Sequence, residues 1–216
     1  VGGVIQQSIL LLMAAPGTGK TALAQQIAEE MAARRKPVIY LNLEMSREQM
    51  IARAISACLE RKSKGQTALK VLQGYNWTEQ ERQDITVAIE EYRENIYPFI
   101  KYNPEEIGSD LDEILQYLRR EGERARSEGQ DAPAVIVDYL HLISSRNGLD
   151  VQELIKQAVT GLKDYAKTYN TFVIGIVATN RASNTAGKIT MESGRDSSNL
   201  EYAGDYQLSL NYYAID

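Results

Sequence analysis

Residues Ala14 to Thr21 read Ala-Ala-Pro-Gly-Thr-Gly-Lys-Thr, and no other stretch of the chain restricts its fold so tightly. An apolar run, Ile9-Leu10-Leu11-Leu12-Met13, leads straight into it, and a strongly helical pattern follows. Strand, Gly-rich loop and helix in that order are the context a phosphate-binding loop requires. The backbone N–H groups of such a loop turn inward on an anion, and the helix N-terminus adds partial positive charge. Gly17 and Gly19 permit the backbone angles and the close approach. Lys20 can reach the β- and γ-phosphates, and the Thr21 hydroxyl can hold Mg²⁺. The expected nucleotide-binding set is Ala15, Pro16, Gly17, Thr18, Gly19, Lys20, Thr21 and Ala22. The first glycine of the usual pattern is Ala14 here. An ordinary glycine turn is the competing reading, and the flanking strand and helix weigh against it.

A loop of this kind needs a sheet behind it, and the rest of the chain supplies one. Strand candidates are Ile9–Ala15, Val38–Leu43, Tyr97–Tyr102, Ala134–Asp138, Thr171–Val177 and Tyr206–Tyr212. Helical patterns lie between them, over Thr21–Arg34, Ser46–Lys62, Thr78–Tyr92, Ser109–Ser127 and Val151–Tyr169. Two of them open on capping pairs, Ser46 with Gln49 and Thr78 with Glu81. Strands alternating with helices predict an α/β domain with a mostly parallel central sheet and helices on both faces. At 216 residues the chain is long enough for one such domain with a sizeable core. Asn184–Ser198, rich in Ser, Gly, Asn and Thr, reads as one long loop within it.

Composition narrows the partners. A net charge of −5 gives no global basic field for nucleic acid, although local loops can still bind it. The single cysteine, Cys58, excludes an internal disulfide, fits a reducing cytoplasm, and falls on an apolar helical face. The apolar runs are far shorter than a membrane span, so no membrane partner is expected.

Two acids complete a candidate site. Val135-Ile136-Val137-Asp138 is an apolar strand ending in a carboxylate, which with the upstream loop becomes the expected second Mg²⁺ ligand opposite Thr21. Glu44 ends the strand Val38–Leu43, at the edge where ligands of open α/β sheets bind. Position alone leaves two readings of Glu44 open. It could polarise the water that attacks the γ-phosphate, or it could be a helix-entry acid favoured near a helix start.

Gly2-Gly3, the loop 14–21, Leu43-Glu44-Met45-Ser46-Arg47-Glu48-Gln49-Met50 and Val137-Asp138-Tyr139-Leu140-His141-Leu142 together resemble the C-terminal ATPase domain of DnaB-type replicative helicases. The resemblance continues through Asn180-Arg181 and Arg195-Asp196-Ser197, almost to the end of the chain. It implies a RecA-like P-loop fold, a homo-hexameric ring, ATP with Mg²⁺ as cofactors and translocation along single-stranded DNA. A primase or a helicase loader is an implied partner and the cytoplasm the implied location. It makes Glu44 and Lys20 the catalytic pair, and it places a sensor strand, Phe172–Val177, between the loop strand and the Asp138 strand. It also implies that the chain is one domain of a longer helicase, without the N-terminal domain, linker helix and C-terminal basic segment. Where the family carries a sensor glutamine this chain has Ala178; either Asn180 substitutes as the γ-phosphate sensor or the coupling of hydrolysis to loop motion is weakened. His141, the only histidine, stands where the family often has glutamine and reads as a hydrogen-bonded neighbour of the site. The loop Arg181–Arg195 corresponds to the family's channel-lining loop, which makes Arg181, Lys188 and Arg195 the expected contacts to the DNA backbone. A nucleotide-controlled assembly switch or loading scaffold without unwinding is the alternative, kept open by Ala178. A small-molecule kinase lacks an Arg-rich lid in this sequence.

Overall fold

Every residue of β1 (Ser8–Ala14), β2 (Val38–Asn42) and β4 (Ala134–Asp138) is buried, and β5 (Phe172–Ala178) is buried between its ends. Strands apolar on both faces belong in the middle of a parallel sheet covered on both sides. The computed structural model describes residues 6–62, 68–74, 76–146, 148–178 and 204–210. In it, β3 (Ile100–Tyr102) and β6 (Tyr206–Leu210) close the two edges of a six-stranded sheet of order β3-β2-β4-β5-β1-β6. All its pairings are parallel. The strand expected as the sensor, β5, lies between β1 and β4.

Alternate residues of each strand enter alternate cores. Ile9, Leu11, Ile39, Leu41, Val135, Val137 and Val173 face α5 (Leu111–Ser127) and α6 (Val151–Thr168) through Ile114, Leu118, Ile155 and Leu162. Leu10, Leu12, Tyr40, Ile136 and Ile174 face α1 (Lys20–Ala33), α2 (Arg47–Arg61) and α4 (Glu79–Asn95) through Ala24, Ala28, Met50, Leu59 and Ile85. Small residues on α1 let that helix lie close on the sheet, directly behind the phosphate loop. Gly175, at the centre of β5, gives the same intimacy on the opposite face. A β-carbon there would stand 2.9 Å from Cδ1 of Leu140, so the segment after Asp138 can press onto the sheet.

Three sequence expectations change at the edges. Tyr97–Phe99 is a 3-10 turn and not strand, because Pro98 has no N–H for a ladder and fixes φ near a helical value; only Ile100–Tyr102 pairs. A short helix, α3 (Ala68–Gln73), occupies a stretch with no anticipated element. The helix expected from Ser109 begins at Leu111, with Asp110 as its cap. Cys58 is half-buried against the α1–α2–α4 core.

The outer edge is held differently from the centre. β6 is largely exposed along its length. Its entry is fastened by Asp205, whose backbone N–H donates to Ile9 O at 3.0 Å. The Asp205 carboxylate accepts from Ile9 N at 3.0 Å and pairs with Lys163 Nζ on α6 at 2.5 Å. Among the described residues, no helix is long and apolar enough to cross a membrane.

Candidate nucleotide site

The loop between β1 and α1 is built without side-chain caps. Gly19 occupies the N-cap of α1 at φ 91°, ψ 14°, in the left-handed region, and no side chain bonds the first-turn amides. Gly17 is left-handed too, at φ 84°. Thr18 folds back onto the loop, its hydroxyl donating to Ala15 O at 2.8 Å. A β-carbon added to Gly19 would meet nothing within 4 Å, so the loop is open on that side. The first turn of α1 carries no acid. Backbone amides and helix dipole therefore face a region that a phosphate can enter without competition from an acid on the helix's own first turn.

Asp138 sits across from it, wholly buried at the end of β4. Burial is the largest influence on its carboxyl and pushes its pKa up; the Thr21 hydroxyl, the Lys20 ammonium and the Tyr40 hydroxyl pull it down, and the Glu44 charge pushes it up again. Lys20 and Thr21 from the start of α1 and Glu44 from the turn after β2 are thus each within electrostatic reach of Asp138. Oδ2 of Asp138 accepts from Tyr40 Oη and from Asn42 Nδ2, both at 3.2 Å. Oδ1 has no well-formed hydrogen bond among the described residues, although the Thr21 hydroxyl is close enough to be felt. A buried carboxylate oxygen in this condition is costly unless a cation or donor takes it. A hard oxygen pair, one from a carboxylate and one from a threonine hydroxyl, suits Mg²⁺, which keeps most of its waters and phosphate oxygens. No cluster of three or more metal-binding side chains exists among the described residues, and a site of that kind needs none.

Lys20 Nζ lies over the Tyr139 ring, 5.5 Å from its centroid. That contact with an aromatic face steadies the ammonium next to the carboxylate it serves. His141 packs its ring 6.0 Å from that of Tyr139 on the 3-10 turn Leu140–Leu142.

Glu44 is exposed, on a turn between β2 and α2. The turn is held by two asparagines. Asn42 Oδ1 accepts from the N–H groups of Glu44 at 3.0 Å and Met45 at 2.7 Å. Asn103, left-handed at φ 41°, accepts from Asn42 N and donates to Met45 O, both at 2.7 Å. Ser46 then caps α2 with Gln49, the reciprocal box expected from sequence. Tyr40, Asn42, Asn103 and Tyr139 escaped the sequence reading. A polar residue breaking the apolar strand just before Glu44 was the one available signal for Asn42. Asn180, Arg181, Lys188 and Arg195, and the long loop as a whole, lie outside the described residues.

The match to known proteins follows the same geometry. The family model for the DnaB-like helicase C-terminal domain matches residues 1–211. A solved structure described as an ATPase domain superposes with a TM-score of 0.79 at 21% identity, over 96% of this chain and 70% of that one. A DnaB-like replicative helicase, described together with its interactions with primase, gives 0.78 at 22% identity, over 95% of this chain and 47% of that one. The chain thus spans less than half the length of that second relative. No curated protein sequence matches. Both superpositions carry the α/β fold expected from sequence, with RecA-like strand order around the loop. By the extent of the family match, the chain belongs to the DnaB-like helicase C-terminal domains.

Proposed function

We propose that this chain is the motor domain of a DnaB-like helicase, coupling Mg-ATP hydrolysis to translocation on single-stranded DNA within a homo-hexamer. The observation that carries the reading is the uncapped, left-handed start of α1 beside the buried Asp138, whose Oδ1 has no well-formed hydrogen bond among the described residues and whose carboxyl feels Thr21 and Lys20. In this reading the amides of residues 15–22 and the Lys20 ammonium hold the phosphates. Thr21 and Asp138 would hold Mg²⁺, which neutralises phosphate charge and polarises the γ-phosphoryl group. Glu44 orients and deprotonates the attacking water, and its exposed position leaves room for that water. Asn180 senses the γ-phosphate, and Arg181, Lys188 and Arg195 grip the DNA backbone. The primase named with the second superposed structure makes a primase, or a loader, the partner we would test first. A cytoplasmic location goes with this reading.

Single-stranded DNA should raise ATP turnover by the full-length protein. Turnover indifferent to DNA would instead favour the assembly-switch reading, for which Ala178 at the end of β5, a methyl with no polar group, is the supporting observation. Glu44→Gln should keep Mg-ATP binding and lower kcat by roughly 10² to 10⁴, the usual contribution of a general base. Neutralising Arg181, Lys188 and Arg195 together should weaken DNA binding and flatten its salt dependence, read by fluorescence titration across salt concentrations. An unchanged slope would remove that loop from the DNA contact.

A further inference from the structure

Asn42 and Asp138 end neighbouring strands and are paired in register. Parallel pairing brings the two side chains together, and Asn42 is as buried as the core around it. Its one amide group has two tasks. The oxygen accepts both turn amides, Glu44 N–H and Met45 N–H; the nitrogen donates to Asp138 Oδ2 at 3.2 Å and to Met50 Sδ at 3.4 Å. The orientation is forced. A flipped amide would set its NH₂ against two N–H donors and its oxygen against a carboxylate.

The outer side of the turn is held as firmly. Asn103 joins Asn42 N to Met45 O, and its own N–H donates to Tyr40 O at 3.0 Å. Arg47, from the first turn of α2, donates to the carbonyls of Tyr102 and Asn103 at 3.1 Å each. The turn bearing Glu44 is therefore fixed to β3 on one side and to the Asp138 carboxylate on the other. Leu43 N–H completes the attachment by donating to Asp138 O at 2.8 Å.

We propose that Asn42 is a positioning residue: its amide sets the Glu44 turn against the Asp138 carboxylate, with Asn103 as the outer support. This rests on the roles proposed above for Glu44 and Asp138. A side chain that only satisfied the turn would need its oxygen alone. The donation from the same amide to Asp138 makes Asn42 the side chain that ties the turn of the water-activating carboxylate directly to the metal-holding carboxylate. Glu44 is exposed, so the turn backbone is the main constraint on where its carboxylate sits.

The test compares Asn42→Ala, Asn42→Ser and Glu44→Gln in the full-length protein. Steady-state ATP hydrolysis, binding of a fluorescent ADP with Mg²⁺, and amide hydrogen exchange at Glu44 and Met45 are read for each. Asn42→Ala should bind nucleotide within a factor of a few of the parent and lose kcat by roughly 10- to 100-fold, the scale of a misplaced catalytic group. Its Glu44 and Met45 amides should exchange faster. Asn42→Ser keeps an acceptor for one turn amide but is too short to reach Asp138, and should fall between. If the alanine variant does not fold, the serine variant carries the same comparison. Wild-type kcat in either Asn42 variant, beside a dead Glu44→Gln, overturns the proposal and leaves the role of Glu44 standing. Nucleotide binding lost in step with kcat overturns it too, by making Asn42 purely structural. Normal turnover in Glu44→Gln removes the role of Glu44 itself, and the proposal with it.

Discussion

The N-termini of α1, α2, α4, α5 and α6 are of two kinds. At α2, α4, α5 and α6 a side chain of Ser46, Thr78, Asp110 or Asp150 accepts first-turn amides, and acids follow: Glu48, Glu79 and Glu81, Asp112 and Glu113, Glu153. At α1 a glycine in the left-handed region replaces the cap, and no acid follows. Orphan amides at a helix start cost free energy unless something accepts from them. Four helices resolve this within the chain. α1 has no such cap, and in the proposed reading it leaves its amides to the phosphates of a nucleotide.

The contrast can be broken most sharply at Lys20. Lys20→Ala should cut ATP turnover by about 10² to 10³, the scale of removing one electrostatic clamp on a transferring phosphoryl group. Its melting temperature should stay where it is, because the ammonium fills no core. Unchanged nucleotide affinity and turnover in a folded Lys20→Ala protein would remove α1 from the phosphate role.

Gly19→Ala is the next test. The new β-carbon meets nothing within 4 Å, yet the φ of 91° is one an L-residue resists by roughly 1–2 kcal/mol. The variant should lose about that much stability in urea unfolding and bind nucleotide more weakly, since the methyl intrudes where phosphate approaches. Wild-type affinity would show that the loop's open side is not where the ligand enters.

Asp150→Ala acts at a helix of the other kind and should have the smallest effect. Loss of this cap to Gln152 and Glu153 should cost about 1 kcal/mol, a fall in Tm of roughly 2–4 °C for a domain of this size, with nucleotide affinity untouched. A matching loss of affinity would mean that the two kinds of helix start are not independent.

The sheet and its helices were legible because burial writes itself into sequence. Continuous apolar runs marked β1, β2, β4 and β5, and the Ser46–Gln49 and Thr78–Glu81 pairs marked two helix starts to the residue. The stretch around Pro98 was misread because an aromatic and β-branched run looks like strand until the missing N–H is counted. α3 was missed because six residues are too few for a helical period to declare itself. The loop 14–21 and Asp138 could be read because phosphate chemistry prescribes residue types at fixed spacing. The Asn42–Asn103 clasp could not. Its members lie far apart along the chain, and an asparagine at a strand end looks the same whether it ends a strand or holds a neighbour's carboxylate.

The fastening of β6 has a consequence for how the domain comes apart. The central strands are gripped by apolar layers on both faces, but this one, largely exposed and paired only to β1, has its added fastening at its entry, through Asp205, Ile9 and Lys163. Burial works to raise the Asp205 pKa, but the Lys163 ammonium and the Ile9 N–H outweigh it, and the net shift is downward. A depressed folded-state pKa gives stability that is complete above the carboxyl's unfolded value and fades as pH falls through the folded one. Acid therefore loosens this edge ahead of the central strands, whose cohesion comes from apolar burial. The expected consequence is an order of disassembly in acid: β6 should open as a unit while the loop after β1, one strand inward, keeps its shape.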